Sequence, residues 1–181
     1  VMLTSFNSDN TLDLDGVKKI TDMYLDSGAN GMFANCLSSE MFQLTSEERL
    51  TLTKTVVDHC KDKVPVVATG SFYRESDKNV EFIKQIYDLG ADAVILISSV
   101  LAEPNESDAT GDIPLGLYEC PVPYKRVISP DMMTWLGSTG RFWYHKDTTC
   151  NAPLIEQKVA NVKGTSFNLY NADTVTALDS L

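Results

Sequence analysis

Apolar residues recur at helical spacing in two stretches, Leu14, Val17, Ile20, Tyr24 and Leu25, then Val80, Ile83, Ile86 and Tyr87. Between and after them lie short apolar runs bounded by turn residues, which predict strands at 1–4, 31–35, 65–70, 93–98, 114–119, 141–146 and 167–171. Two segments read alike: Leu25-Asp26-Ser27-Gly28-Ala29-Asn30-Gly31-Met32-Phe33-Ala34 and Tyr87-Asp88-Leu89-Gly90-Ala91-Asp92-Ala93-Val94-Ile95-Leu96. Each is a helix end, a glycine able to take positive φ, a polar turn and a buried strand. Ser138-Thr139-Gly140-Arg141-Phe142-Trp143 is a looser third copy, after a helical pattern from Asp131 to Leu136 that follows Pro130. Thr45-Ser46-Glu47-Glu48 is a capping-box signature that opens another helix, and residues 173–181 read as the start of a last one.

Helix alternating with strand predicts a parallel sheet covered by helices. The interval between the strands at 93–98 and 114–119 breaks the rhythm, because its turn-rich ends enclose no helical pattern and a parallel crossover needs a dozen or more residues, usually helical. Seven strands also fall one short of a closed eight-stranded barrel. The expectation is an α/β fold of the (β/α)8 barrel type, one domain over residues 1–181. Its helix after the fourth strand would be missing near Asp108 and Ala109, and everything after the seventh strand would lie beyond Leu181.

Composition narrows the chemistry. The chain is 43% apolar and 22% charged, as expected for a globular protein, and its formal net charge of −10 without a Lys/Arg cluster argues against a nucleic-acid partner. Cys36, Cys60, Cys120 and Cys150 form no CxxC pair, and only His59 and His145 could join them, so no metal site is expected and reduced thiols of a cytoplasmic protein are the simpler reading. No apolar run is long enough to span a membrane.

One residue stands against the pattern. If Arg141-Phe142-Trp143-Tyr144-His145-Lys146-Asp147 is a strand, Phe142, Tyr144 and Lys146 share a face and an ammonium ends an aromatic stripe. Loss of hydration disfavours the charged amine and makes it a candidate nucleophile toward carbonyl groups. The plain alternative is a lysine that snorkels into water at the strand end.

Four segments, each at the C-terminal end of a predicted strand, carry a resemblance: Leu3-Thr4-Ser5-Phe6, Cys36-Leu37-Ser38-Ser39-Glu40, Leu117-Tyr118-Glu119-Cys120-Pro121 and His145-Lys146-Asp147-Thr148-Thr149. In order and placement they resemble the dihydrodipicolinate synthase and N-acetylneuraminate lyase family of Schiff-base aldolases, which are (β/α)8 barrels. The resemblance implies that Lys146 attacks the ketone of a 2-oxo acid such as pyruvate to form an imine, and that Tyr118 moves protons to and from the intermediates. It implies that Ser38 and Ser39 hold the substrate carboxylate through hydroxyls and backbone N–H groups, and that Arg126 greets a distal carboxylate. An aldehyde partner, a dimer or tetramer, and no cofactor complete the implied picture, since the imine is itself the electron sink. Gly116, on the Tyr118 face, is expected to leave room for ligand; Glu40 is expected to bond loop backbone, and His145 to pack between barrel and helix. Met23, Met32, Met41, Met132 and Met133 read as core fillers.

The chain departs from the family at Leu37, where a hydroxyl is usual, and at Val100-Leu101, where an aromatic pair is common. The expected activity is therefore a class I aldolase or lyase of open aldehyde specificity. The alternatives are a sugar-acid dehydratase using the same imine, and a barrel that binds a 2-oxo acid or sugar acid without turnover.

Overall fold

Helices begin where the sequence supplies caps. The computed structural model describes residues 1–100 and 109–180. Helix α1 (Leu14–Asp26) starts at Asp13, whose carboxylate accepts the Gly16 N–H at 2.9 Å. Helix α2 (Ser46–Cys60) opens with the predicted capping box, Thr45 N–H donating to Glu48 Oε2 at 2.7 Å. After α3 (Ser76–Asp88), Ser129 caps α4 (Pro130–Ser138) and Asn151 caps α5 (Ala152–Val162), each helix with proline in its first turn. The predicted joints turn on Gly28, Gly90 and Gly140, with φ of 81°, 98° and 67°.

Six strands, β1 (Met32–Ala34), β2 (Val66–Thr69), β3 (Ala93–Ile97), β4 (Leu115–Tyr118), β5 (Phe142–Asp147) and β6 (Asn168–Asn171), pair in parallel in chain order. The sheet curls. Phe33 of β1 and Tyr144 of β5 stand four strands apart, about 19 Å if the sheet were flat, yet their ring centroids are 5.6 Å apart. The outer face buries Met32, Val66, Val94, Leu96, Leu115 and Leu117 against Val17, Leu52, Val56, Phe82, Ile83, Met133 and Val162 from the helices. The inner face carries Phe33, Ile95, Ile97 and Tyr118 with Cys36, Met41 and Cys120, and Tyr144 packs on them. This is the wall of a (β/α) barrel, side chains filling its inside and helices its outside.

Several expectations need correction. Residues 1–4 form no strand: Met2 N–H donates to Phe33 O at 3.1 Å, but the Met2 carbonyl accepts the Ser39 hydroxyl at 2.8 Å instead of joining a ladder. The predicted final helix is a 3₁₀ turn, Ala177–Ser180. Met23 and Met132 point to solvent, whereas Met32, Met41 and Met133 are buried. The predicted gap between Asp108 and Ala109, and Leu101 and Leu181, lie outside the described residues.

The stripe of Phe142, Tyr144 and Lys146 is also broken. Leu115 pairs with Phe142 but Gly116 pairs with Tyr144, so one extra residue bulges from β5 and the alternation of faces slips. Phe142 consequently joins Leu115 on the outer face, 6.1 Å from the Phe167 ring, while Tyr144 and Lys146 remain inside. A Cβ on Gly116 would meet Ile95 Cδ1 at 2.5 Å and both Tyr144 Cβ and Tyr144 O at 2.9 Å. The space expected for ligand at Gly116 is therefore used by the bulge.

Candidate active site

Past the bulge, β4 and β5 return to register, and Tyr118 pairs with Lys146 at the C-terminal ends of both strands. The Lys146 Nζ lies 4.3 Å from the Tyr118 ring centroid and 5.7 Å from that of Phe33. Among the described residues no carboxylate pairs with it. Burial is the largest influence on this half-buried amine and pushes its pKa below the ordinary lysine value, with the Cys36 and Cys120 thiols acting in the opposite sense. The ring contact favours the ammonium by about 0.5–2 kcal/mol and so works against the burial. The Tyr118 phenol, 2% exposed, is driven well above its ordinary pKa by burial and then by Cys120 and Cys36. It stays protonated near neutral pH and can donate a hydrogen bond.

The loop after β1 folds as a 3₁₀ turn, Leu37–Ser39, followed by Glu40 in the left-handed region at φ 57°. Ser38 is exposed, its hydroxyl donating to Met2 O at 3.3 Å and lying 3.1 Å from Cys36 Sγ. Ser39 differs from expectation. It is fully buried, its hydroxyl donates to Met2 O and its N–H to Cys36 O at 3.0 Å, so both groups are spent within the loop. Burial pushes the Cys36 thiol up, but the Ser38 and Ser39 hydroxyls, the Met2 backbone and Lys146 bring it below its ordinary value. Leu37 packs against the inner aromatic cluster, as does Val100, and neither supplies a group that carries protons. The Glu40 side chain is exposed and, among the described residues, bonds nothing, in contrast to its expected loop role. Arg126, also exposed, is tied to the end of β3: its guanidinium donates to Ser98 O at 3.3 Å and its carbonyl accepts the Ser98 hydroxyl at 2.7 Å.

Behind the imine candidates, on the outer face, sits a cluster that motif reasoning passed over. Glu119 follows Tyr118 and Asp147 follows Lys146, so the pleat sends both carboxylates away from the amine. Between them, fully buried, is Lys158 of α5, whose Nζ donates to Glu119 Oε1 at 2.6 Å, Asp147 Oδ2 at 2.5 Å and Thr149 Oγ1 at 2.8 Å. Glu119 also accepts from Ile128 N at 2.8 Å and Thr148 N at 3.1 Å. Burial alone would raise the Glu119 pKa, yet His145 and Lys158 hold it down to about 2; Asp147 is lowered in the same way, with the Thr149 N–H adding to the pull. His145 is fully buried, as expected, with Nε2 3.4 Å from Glu119 and 3.6 Å from Asp147. Glu119, His145 and Asp147 have the donor atoms and closeness of a metal site, but the Lys158 ammonium already holds the cationic position between the carboxylates. A signal for Lys158 was present in the sequence: Ile155, Lys158 and Val162 share the buried face of α5, where a lysine requires a partner.

Of two surface depressions, one of about 600 Å³ lies at the N-terminal end of β2, and one of about 360 Å³ runs from the N-terminal ends of β1 and β2 along the inner face to Tyr170, the register partner of Lys146. The first is lined by residues such as Cys60, Pro65 and Asp92, the second by Gly31, Phe33, Tyr144 and Tyr170. No described helix is long and apolar enough to cross a membrane.

Solved structures share this architecture. The dihydrodipicolinate synthase of Acinetobacter baumannii, crystallised with pyruvate, is 22% identical with a TM-score of 0.85, the match covering 99% of this chain and 64% of that one. CdNal from Clostridium difficile, solved with mannosamine, is 19% identical with a TM-score of 0.81, covering 94% and 61%. The dihydrodipicolinate synthase of Aquifex aeolicus is 20% identical with a TM-score of 0.83, covering 99% and 64%. The chain thus spans less than two thirds of the length of these structures. With the Dihydrodipicolinate synthetase family matched over residues 1–181, across all six strands and both members of the Tyr118 and Lys146 pair, the chain belongs to that family.

Proposed function

We propose that the chain carries the imine-forming half of a class I aldolase or lyase site acting on a 2-oxo acid such as pyruvate. Lys146 is the nucleophile and Tyr118 the proton donor and acceptor. The carrying observation is the Lys146 amine, half-buried against the Tyr118 ring at 4.3 Å and without a carboxylate partner among the described residues. A lysine so placed spends more time uncharged, and only the free amine adds to a ketone. The crystallisation of a family relative with pyruvate supports the choice of 2-oxo acid.

In the first step the free amine adds to the ketone carbon and the carbonyl oxygen takes a proton from the Tyr118 hydroxyl. The nitrogen returns a proton to the Tyr118 phenolate, the phenol passes it to the carbinolamine hydroxyl as water leaves, and the resulting iminium draws electrons from the adjacent carbon. Ser38, exposed at the mouth of the loop, is the side chain offered to the substrate carboxylate once its hydroxyl exchanges its longer bond to Met2 O; Ser39 holds the loop in shape by its shorter bond to the same carbonyl. Arg126 at the end of β3 is the candidate for a distal anionic group.

Leu37 favours a second reading, binding without turnover, because the position beside Tyr118 where a relay hydroxyl is expected is apolar. Borohydride reduction in the presence of pyruvate separates the two. A stable mass adduct on Lys146, absent in Lys146→Ala, supports imine chemistry; pyruvate binding without any adduct supports the second reading and ends the first.

A further inference from the structure

Two buried carboxylates flank the imine pair on the other side of the sheet, and their charge has to be accounted for. Glu119 and Asp147 are each one residue along from Tyr118 and Lys146, both fully buried. An uncompensated anion there would act on the Lys146 amine through a low-dielectric strand and favour its protonated form. Lys158 offsets one of the two charges. Its ammonium bonds both carboxylates at 2.6 and 2.5 Å and is held by the Thr149 hydroxyl at 2.8 Å.

The same contacts set geometry. Glu119 bonds the N–H of Thr148 after β5 and of Ile128 before α4, its own N–H donates to Lys146 O at 3.1 Å, and the Thr148 hydroxyl donates to Glu119 O at 2.6 Å. These bonds fasten the ends of β4 and β5 at the level where Tyr118 and Lys146 stand side by side. Because the fastening lies on the outer face, it places no charged group inside.

We propose that Lys158 is the positioning residue of the imine site. It offsets one of the two charges of Glu119 and Asp147 on the outer face, clamps β4 to β5, and so weakens the pull of these carboxylates on the Lys146 amine. This rests on Lys146 being the nucleophile proposed above. The other titratable groups that face the amine are Tyr118 and Cys120 from β4 and its end, Cys36 and the Val1 amino group from the loop side, Tyr144 on its own strand and Tyr170, its register partner on β6. On the outer face, His145 lies against both carboxylates and is retained in every variant below.

The test reads the amine without relying on pyruvate. Lys146 is acylated with trace acetic anhydride across pH and the modification is quantified by mass spectrometry. Lys158→Met alone leaves two buried carboxylates unpartnered and is prone to unfold, so two combined variants carry the comparison. In Glu119→Gln, Lys158 and Asp147 carry one charge of each sign; adding Lys158→Met leaves the Asp147 charge unpaired, and the midpoint of Lys146 acylation moves up by about one pH unit from that of Glu119→Gln. Adding Asp147→Asn removes the last carboxylate and returns the midpoint to the Glu119→Gln value, while Lys158→Arg stays near the parent throughout. Equal midpoints in Glu119→Gln and in the double variant, which differ only at Lys158, overturn the proposal. Borohydride trapping of pyruvate by the parent is run alongside: an unlabelled parent with the predicted midpoint shifts sinks the imine reading and upholds the charge effect of Lys158. A labelled parent with equal midpoints does the reverse.

Discussion

Lys146 and Lys158 are buried to different degrees on opposite faces of the same sheet edge, and their surroundings assign them opposite chemistry. Lys146 meets rings and thiols, so desolvation acts against its charge with little to offset it. Lys158 meets two carboxylates and a hydroxyl, so its charge is compensated in full. One residue type thus meets desolvation or full pairing according to which side of a strand supplies the acids. The pleat makes the division, because Asp147 and Glu119 must face away from the neighbours they follow.

The largest effect is expected on the inner side. Lys146→Ala removes the amine proposed to form the imine, and no adduct should form at position 146 on reduction with pyruvate at any pH. With Lys146 present, the adduct rate should rise with pH along a limb below the ordinary lysine value of 10.5, since the pKa is lowered and the free amine appears earlier. A limb at or above that value would break the contrast between the two lysines. Tyr118→Phe keeps the ring beside the amine and deletes the proton; imine formation should slow by roughly 10²–10⁴-fold, while acylation of Lys146 persists.

On the outer side the expected loss is of stability. Lys158→Met leaves two buried carboxylates without their cation, a change that typically costs about 3–5 kcal/mol, measurable by urea unfolding, and neutralising both acids as well should recover much of it. Acid acts on the same cluster. Glu119 falls from an ordinary 4.5 to about 2 in the folded chain, so its contribution is complete above 4.5 and is lost as pH drops through about 2. Glu119→Gln should flatten that part of the acid-unfolding curve, although the folded variant begins less stable at neutral pH.

The inner half of this contrast was legible in the sequence and the outer half was not. Tyr118 and Lys146 are found by strand periodicity and by four short segments in order, all local signals. The glycine joints and the capping box at Thr45 are local too, and they lie where expected. Lys158 requires knowing that α5 packs over the ends of β4 and β5, which no window of sequence contains; a lysine on an apolar helix face signals the need for a partner without naming it. Ser39 misled for a related reason. A serine after a strand looks free to bind a ligand until the carbonyl of Met2, far away in the chain, takes its hydroxyl. Periodicity also assumes an unbroken pleat, and the bulge between Phe142 and Tyr144 violates that assumption.

That bulge supplies the smallest effect and a sharp one. Gly116 lies where Tyr144 crosses from the slipped register into the regular one, and Tyr144 Cβ and O both come within 2.9 Å of where a Gly116 Cβ would be. Those neighbours include backbone, which cannot swing aside as a flexible side chain would. Gly116→Ala should therefore cost about 1–3 kcal/mol in urea unfolding, the range for overpacking a well-filled interior. It should also disturb Tyr144 first, since that ring stacks on Tyr170 at 4.4 Å and stands edge-on to Phe33, one wall of the hollow around Lys146. A slower pyruvate adduct with an unchanged Lys146 acylation midpoint is the expected pairing, because the change moves atoms on the inner face and leaves the outer charges alone. An alanine tolerated with neither loss would mean that the strands can slide back into even register, and that the bulge does not set where the amine points.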